Sequence, residues 1–197
     1  MSEPTQTLTF LDQLRSQTRD AHTQLESLPV SASITSDTIS VAAYTHYLQL
    51  MHAVISETED KIFELLGGII PDLEQRRKRQ WIESDLQQLG FAPKIFGEVF
   101  KTEISVPFAL GIMYTVEGST MGGRYILKNI ESALGLNENQ GAKYFAGYGD
   151  ATGKFWKNFL NSLTGYESQT GNTDEIIAGA RYAFDAIHNH FLTADEH

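Results

Sequence analysis

The chain contains no cysteine. That absence excludes disulfides, thiolate metal sites, iron–sulfur clusters and cysteine nucleophiles together, and it suits a reducing compartment. Long apolar runs are missing as well. The best candidate, Phe63 to Ile70, is interrupted by Glu64, Gly67 and Gly68, so no membrane span is expected. The N-terminus carries Glu3, Thr5, Gln6 and Thr7 where a signal peptide would have a basic and then an apolar stretch. No signal peptide is therefore expected, and a cytoplasmic location follows. Positive charge is in deficit: 15 Lys and Arg stand against 25 Asp and Glu, a net charge of −10. So acidic a chain is a poor general nucleic-acid binder, because phosphate binding needs a basic surface. Strand-like alternation is scarce, and neither an internal repeat nor a low-complexity segment occurs.

What is present is helical periodicity. The 197 residues, 41% of them hydrophobic, suit one domain over 1–197 with an ordered core from about 8 to 192. Leu11, Leu14, Thr18, Ala21, Leu25 and Leu28 recur at spacings of 3, 4, 3, 4 and 3, one face of a helix that stops before Pro29. Ser36 and Asp37 read as the cap of a second helix, over 39–66, which Gly67 and Gly68 end. Pro71 is expected to open a third, running to about Leu89. Pro107 starts a long helical run to about Leu134. Two more are expected over 151–163 and 174–192, with the longer linkers at 135–150 and 164–173. The fold class is all-α, a helical bundle.

Two segments say more than periodicity requires. Beside the core face of the first helix runs a second stripe: Arg15, Arg19, His22 and Glu26, spaced 4, 3 and 4. A histidine there stands at the border of core and solvent, with cations one and two turns away. Heme fits such a stripe: its iron accepts neutral imidazole, its body is apolar, and its propionates seek Arg or Lys. Taken alone, the helix reads more simply as an ordinary amphipathic one whose boundary residue is histidine. The second segment is Gly111 to Gly123. Glycine inside a helix costs about 1 kcal/mol relative to alanine, yet Gly118, Gly122 and Gly123 fall within six residues. Gly111, Thr115, Gly118, Ser119 and Gly122 share one face. A face so stripped of bulk admits either a flat ligand or a second helix packed close, and repeated glycines let the helix bend.

Together the segments resemble the heme oxygenase family. Leu14 to Glu26 (LRSQTRDAHTQLE) is similar to its proximal helix, and Tyr114 to Gly123 (YTVEGSTMGG) to its distal helix. The likeness is to bacterial members above all, including those that supply biliverdin to phytochromes, and it extends from about Leu8 to Leu192. It implies a single-domain bundle holding heme between a proximal and a kinked, Gly-rich distal helix. His22 would ligate the iron. Met113, Gly118, Gly122 and Gly123 would lie on the distal side, with Gly118, Ser119 and Gly122 in the catalytic region. Arg15 would stand near a propionate, as would Lys157 with Lys154 nearby, and Phe184 would line the pocket. Ser119 replaces an Asp that mammalian members use to organise water, so proton delivery would run through water held by Ser119, Thr115 and helix carbonyls.

The implied reaction opens heme, both cofactor and substrate, with O2 and electrons to give biliverdin, CO and ferrous iron. The electrons would come from a ferredoxin, a flavodoxin or a reductase. Arg76 to Arg79 is the one dense basic run and is a candidate dock for an acidic donor, although such runs are usually solvated faces. A carboxylate-bridged di-metal oxidase is an alternative on a similar bundle, with Asp185 and His188 plus Glu57, Glu59 and Glu117 as its ligands. A non-enzymatic heme-binding protein is another. A thiaminase-like hydrolase needs the cysteine that this chain lacks. His46, His52, His188, His190 and His197 are read as structural or surface residues.

Overall fold

The computed structural model describes residues 8–194. Glu3, Thr5, Gln6, Thr7 and His197, on which parts of the sequence reading rest, lie outside them. Helix α1 spans Phe10–Ser27 and starts at a capping box. The Thr9 hydroxyl accepts from the Asp12 amide at 3.2 Å, and the Asp12 carboxylate accepts from the Thr9 amide at 3.3 Å. Two of the orphan donors at a helix start are satisfied in this way. Pro29 ends α1 and opens the short α2, Pro29–Ser33. Helix α3, Val41–Glu57, is capped by Ser40. Ser36 and Asp37 are therefore not its cap; Ser36 bonds Thr38 in the preceding turn.

Helix α3 passes through one π turn, Thr58–Ile62, into α4, Phe63–Leu66. Pro71 does not open a helix. A 3-10 turn, Leu73–Arg76, comes next, and α5 begins only at Arg79 and ends at Gln88. The delay has a physical cause. The buried Glu59 carboxylate accepts from the amides of Lys78 at 2.6 Å and Arg79 at 2.9 Å, so it caps α5 from a distance. Glu57 and Asp85 act likewise, on the amides of Val99 and Phe100 and of Lys143 and Tyr144.

The long run from Pro107 divides in two. Helix α6, Val106–Ser119, is separated by a 3-10 turn, Thr120–Gly122, from α7, Gly123–Leu134. After the short α8, Lys143–Ala146, and a 3-10 turn, Gly149–Ala151, α9 runs from Thr152 to Thr170. It thus fills most of the expected linker at 164–173. The Thr164 hydroxyl turns back to the Leu160 carbonyl at 2.8 Å, so Thr164 does not interrupt the helix. Gly171, at φ +70°, ends it. Helix α10, Thr173–Ala194, packs along α6 and α1. Among the described residues no strand forms; Asn137 makes only isolated bridges to Gln140 and Gly141. Nor is any helix there long and apolar enough to cross a membrane. Leu14, Tyr44, Leu48, Ile112, Phe159 and Ile176, from five of the long helices, are fully buried in one hydrophobic cluster.

Candidate functional site

A cavity of about 930 Å³ opens between α1, α3, α6, α9 and α10, within the range of small-molecule and cofactor pockets, about 300–1,000 Å³. Helix α1 supplies one wall with Arg15, Arg19, His22 and Glu26. The His22 side chain is 55% exposed, and its Nε2 lies 3.1 Å from Glu26 Oε1. Phe184 of α10 packs against the imidazole, ring centroids 5.3 Å apart. Arg15 stands in the same wall, half-exposed and 3.8 Å from Asp12. Burial raises the pKa of the nearby Tyr114 phenol, and the Arg15 charge and hydrogen bond offset part of that rise.

Helix α6 and the turn after it supply another wall: Thr115, Gly118, Ser119, Met121 and Gly122. A Cβ at Gly118 would touch only the Trp156 indole, at 3.6 Å, and one at Gly122 would meet nothing within 4 Å. Both are therefore glycines beside open space. Gly111 is different. A Cβ there would fall 2.0 Å from the Ile176 carbonyl of α10. The small-residue face thus serves two purposes: its N-terminal end lets two helices touch, and its C-terminal end borders the cavity. The Ser119 hydroxyl donates to the Val116 carbonyl at 2.7 Å and that of Thr115 to the Ala180 carbonyl at 3.1 Å. Each has committed its proton and offers lone pairs alone.

Of the residues singled out from sequence, Arg15, His22, Gly118, Ser119, Gly122 and Phe184 line this one cavity. Met113, Gly123 and Lys157 do not. Met113 is fully buried beside Arg76 and Glu117. Gly123 packs on the Phe145 carbonyl, 2.7 Å from where its Cβ would be. Lys157 and Lys154 are exposed on α9. Tyr47, Met51 and Val54 of α3, and Trp156 of α9, line the cavity without having been expected. Burial, then the Glu26 charge, pushes the Tyr47 phenol up to about 12. Nothing in the sequence separates such residues from core ones, because both recur at helical spacing.

The model of the heme oxygenase family matches this chain over residues 8–98 and 97–193. The chain belongs to the heme oxygenase family. Heme oxygenase PigA of Pseudomonas aeruginosa is 32% identical over 125 residues, 63% of this chain and 61% of PigA. The matched part thus spans less than two thirds of that relative. The NO- and CO-bound heme oxygenase of Neisseria meningitidis superposes with a TM-score of 0.76 at 27% identity, over 94% of this chain and 93% of that one. A heme oxygenase of Leptospira interrogans shares the fold at 17% identity and TM-score 0.73, over 93% and 98% of the two chains. So does heme oxygenase-1 of the cyanobacterium Synechocystis, solved in complex with heme, at 18% identity and TM-score 0.70, over 96% and 93%.

Two expectations are corrected within this heme oxygenase fold. The basic run Arg76 to Arg79 is not an open patch. Arg76 is fully buried, bonded to Asp72 at 2.7 Å and Glu117 at 2.5 Å. Lys78 is buried on the other oxygen of Glu117. Arg77 pairs with Glu74 at 2.7 Å, and Arg79 with Asp60. The charges face carboxylates of this chain, so the run does not present a free basic face to a donor. The di-metal alternative loses its ligands for the same reason. Glu57 and Glu59 cap backbone amides, and Glu117 is held by two cations. Among the described residues no group of three His, Asp or Glu side chains is placed to hold a metal ion.

Proposed function

We propose that this protein is a heme oxygenase that binds heme in the α1–α6 cavity through His22 and opens it to biliverdin, CO and ferrous iron. The observation that carries this reading is the convergence of a half-exposed histidine and a bare glycine step on one cavity. The cavity suits the ligand. Met51, Val54, Ile187 and Phe191 give it apolar surface, and Arg15 and Arg19 give it cations for two propionates. Heme itself supplies the redox chemistry when bound, with O2 and electrons from an external donor of the ferredoxin, flavodoxin or reductase class.

The chain's own residues bind and orient. The Glu26 carboxylate, 3.1 Å from the His22 ring, is placed to orient the imidazole that would ligate the iron. Phe184 limits rotation of that ring. Gly118 and Gly122 let a flat ligand approach the α6 backbone, so small substituents on its distal face are steered by main chain. Ser119 and Thr115, having donated to carbonyls, have lone pairs left to accept a hydrogen bond from water in the cavity. A water held through one O–H by either hydroxyl would keep its other O–H for the cavity.

The test is a hemin titration followed by ascorbate or a reductase system in air. A Soret band that forms at one hemin per chain and is then replaced by biliverdin absorption, with CO released, is the expected result. A heme spectrum that forms and persists under reductant and O2 removes the oxygenase reading.

A further inference from the structure

The residue before the glycine step, Glu117, is only 2% exposed. It is the meeting point of three segments. Arg76, from the 3-10 turn before α5, binds one carboxylate oxygen at 2.5 Å, and Lys78 binds the other. The Tyr148 hydroxyl, between α8 and α9, reaches both oxygens, at 2.9 and 3.1 Å. None of these partners touches the cavity. Their reach to it is through neighbours. Arg76 also donates to the Phe155 carbonyl at 3.0 Å, and the next residue, Trp156, is the one that Gly118 faces. Tyr148 stacks on Phe155 at 4.2 Å and 13°. The far end of the step leans on the same loop: Gly123 abuts the Phe145 carbonyl, and Thr120 lies against Gly147. Residues 145–148 thus grip the step at both ends.

We propose that Glu117 is a positioning residue: through Arg76, Lys78 and Tyr148 it fixes the height of the Gly118–Gly122 step and the pose of Trp156 beside it. This rests on the reading of the cavity as a heme site. The physical need is clear. The step runs from the last turn of α6 through a 3-10 turn into α7, and its two glycines supply no side chain to hold it. A buried charge cluster with several directed bonds has few alternative arrangements and passes that rigidity to the backbone that bears it. Burial of Arg76 and Lys78 is the same arrangement seen from the other side.

Glu117→Gln keeps the shape and removes the charge. The ferrous hemin complex with CO is the probe, read by the CO stretching band in the infrared. Wild type is expected to show one narrow band. The Gln variant is expected to keep the wild-type ferric Soret position, because His22 is untouched, but to show a broadened or second CO band. Its kcat should fall roughly tenfold or more while KM for hemin stays within about twofold. Tyr148→Phe, which deletes one hydroxyl and no charge, should shift the band in the same direction by less, and it carries the test if the Gln variant does not fold. A lowered melting temperature with an unchanged single CO band in both folded variants overturns the proposal and leaves Glu117 as a brace. Failure of wild type to bind hemin at all overturns the heme-site reading, and this proposal with it.

Discussion

Gly111 of α6 and Gly179 of α10 face each other so closely that neither has room for a methyl group. A Cβ on Gly111 would stand 2.0 Å from the Ile176 carbonyl, and one on Gly179 would stand 2.1 Å from the Phe108 carbonyl. Both obstacles are backbone, which cannot rotate away. Gly111→Ala should therefore push the helices apart and destabilise the fold by about 1–3 kcal/mol or more. A lower urea midpoint with an unchanged slope is the expected readout. An unchanged midpoint would show that the crossing has slack.

Gly122 gives the opposite result. Its Cβ would meet nothing within 4 Å, and the space it would enter is the cavity. Gly122→Leu should change stability by less than about 1 kcal/mol yet abolish hemin turnover. A Leu variant that makes biliverdin at the wild-type rate would remove the step from the site.

His22→Ala should leave the helical circular dichroism as it is, since the side chain is half-exposed. The hemin complex should lose its imidazole-ligated spectrum and its turnover. Free imidazole, added at millimolar concentration, should restore the spectrum in part. A wild-type spectrum in the Ala variant would assign the iron to another residue.

Arg76→Met tests the buried pairing from the cation side. Arg76 pairs with Asp72 and, together with Lys78, with Glu117. Removing one member of a buried pair leaves the other uncompensated and typically costs about 3–5 kcal/mol. The loss should be the same at low and high salt, because buried charges are poorly screened. A variant of normal stability that is slowed only in reduction by its donor, and only at low salt, would return the run to the surface.

His190 makes stability depend on pH. Burial holds its pKa below the ordinary 6.5, opposed in part by its bond to the Leu50 carbonyl and by the Glu57 charge; the charge of Lys101 lowers it further. A carbonyl only accepts, so Nε2, at 3.2 Å from Leu50 O, carries the proton of a neutral ring. The folded state resists protonation that the unfolded state accepts from about pH 6.5 downward. Stability therefore falls as pH drops through 6.5 and levels once the folded-state pKa is passed. His190→Asn, which keeps an N–H donor, should flatten this part of the profile in denaturant titrations between pH 7 and 5.

The sequence alone determined the all-α class, most of the long helices and the two segments that border the cavity. Spacing of 3 and 4 in α1 marks one core face and one boundary stripe, and both are local properties of a single helix. Caps and breakers placed most ends for the same reason. Where an end depends on a distant partner the reading fails: α5 starts at Arg79 because Glu59, about 20 residues earlier, accepts its first amides. Tertiary structure also decided how the small-residue face is shared. Gly111 and Gly122 look alike in sequence, and only the path of α10 makes one a packing contact and the other a cavity wall. The run at 76–79 shows the same limit for charge. Four adjacent cations read as a solvated surface until the fold brings Asp72, Glu117, Glu59 and Asp60 against them. Whether a charge meets water or a carboxylate is set by long-range packing, which no local pattern encodes.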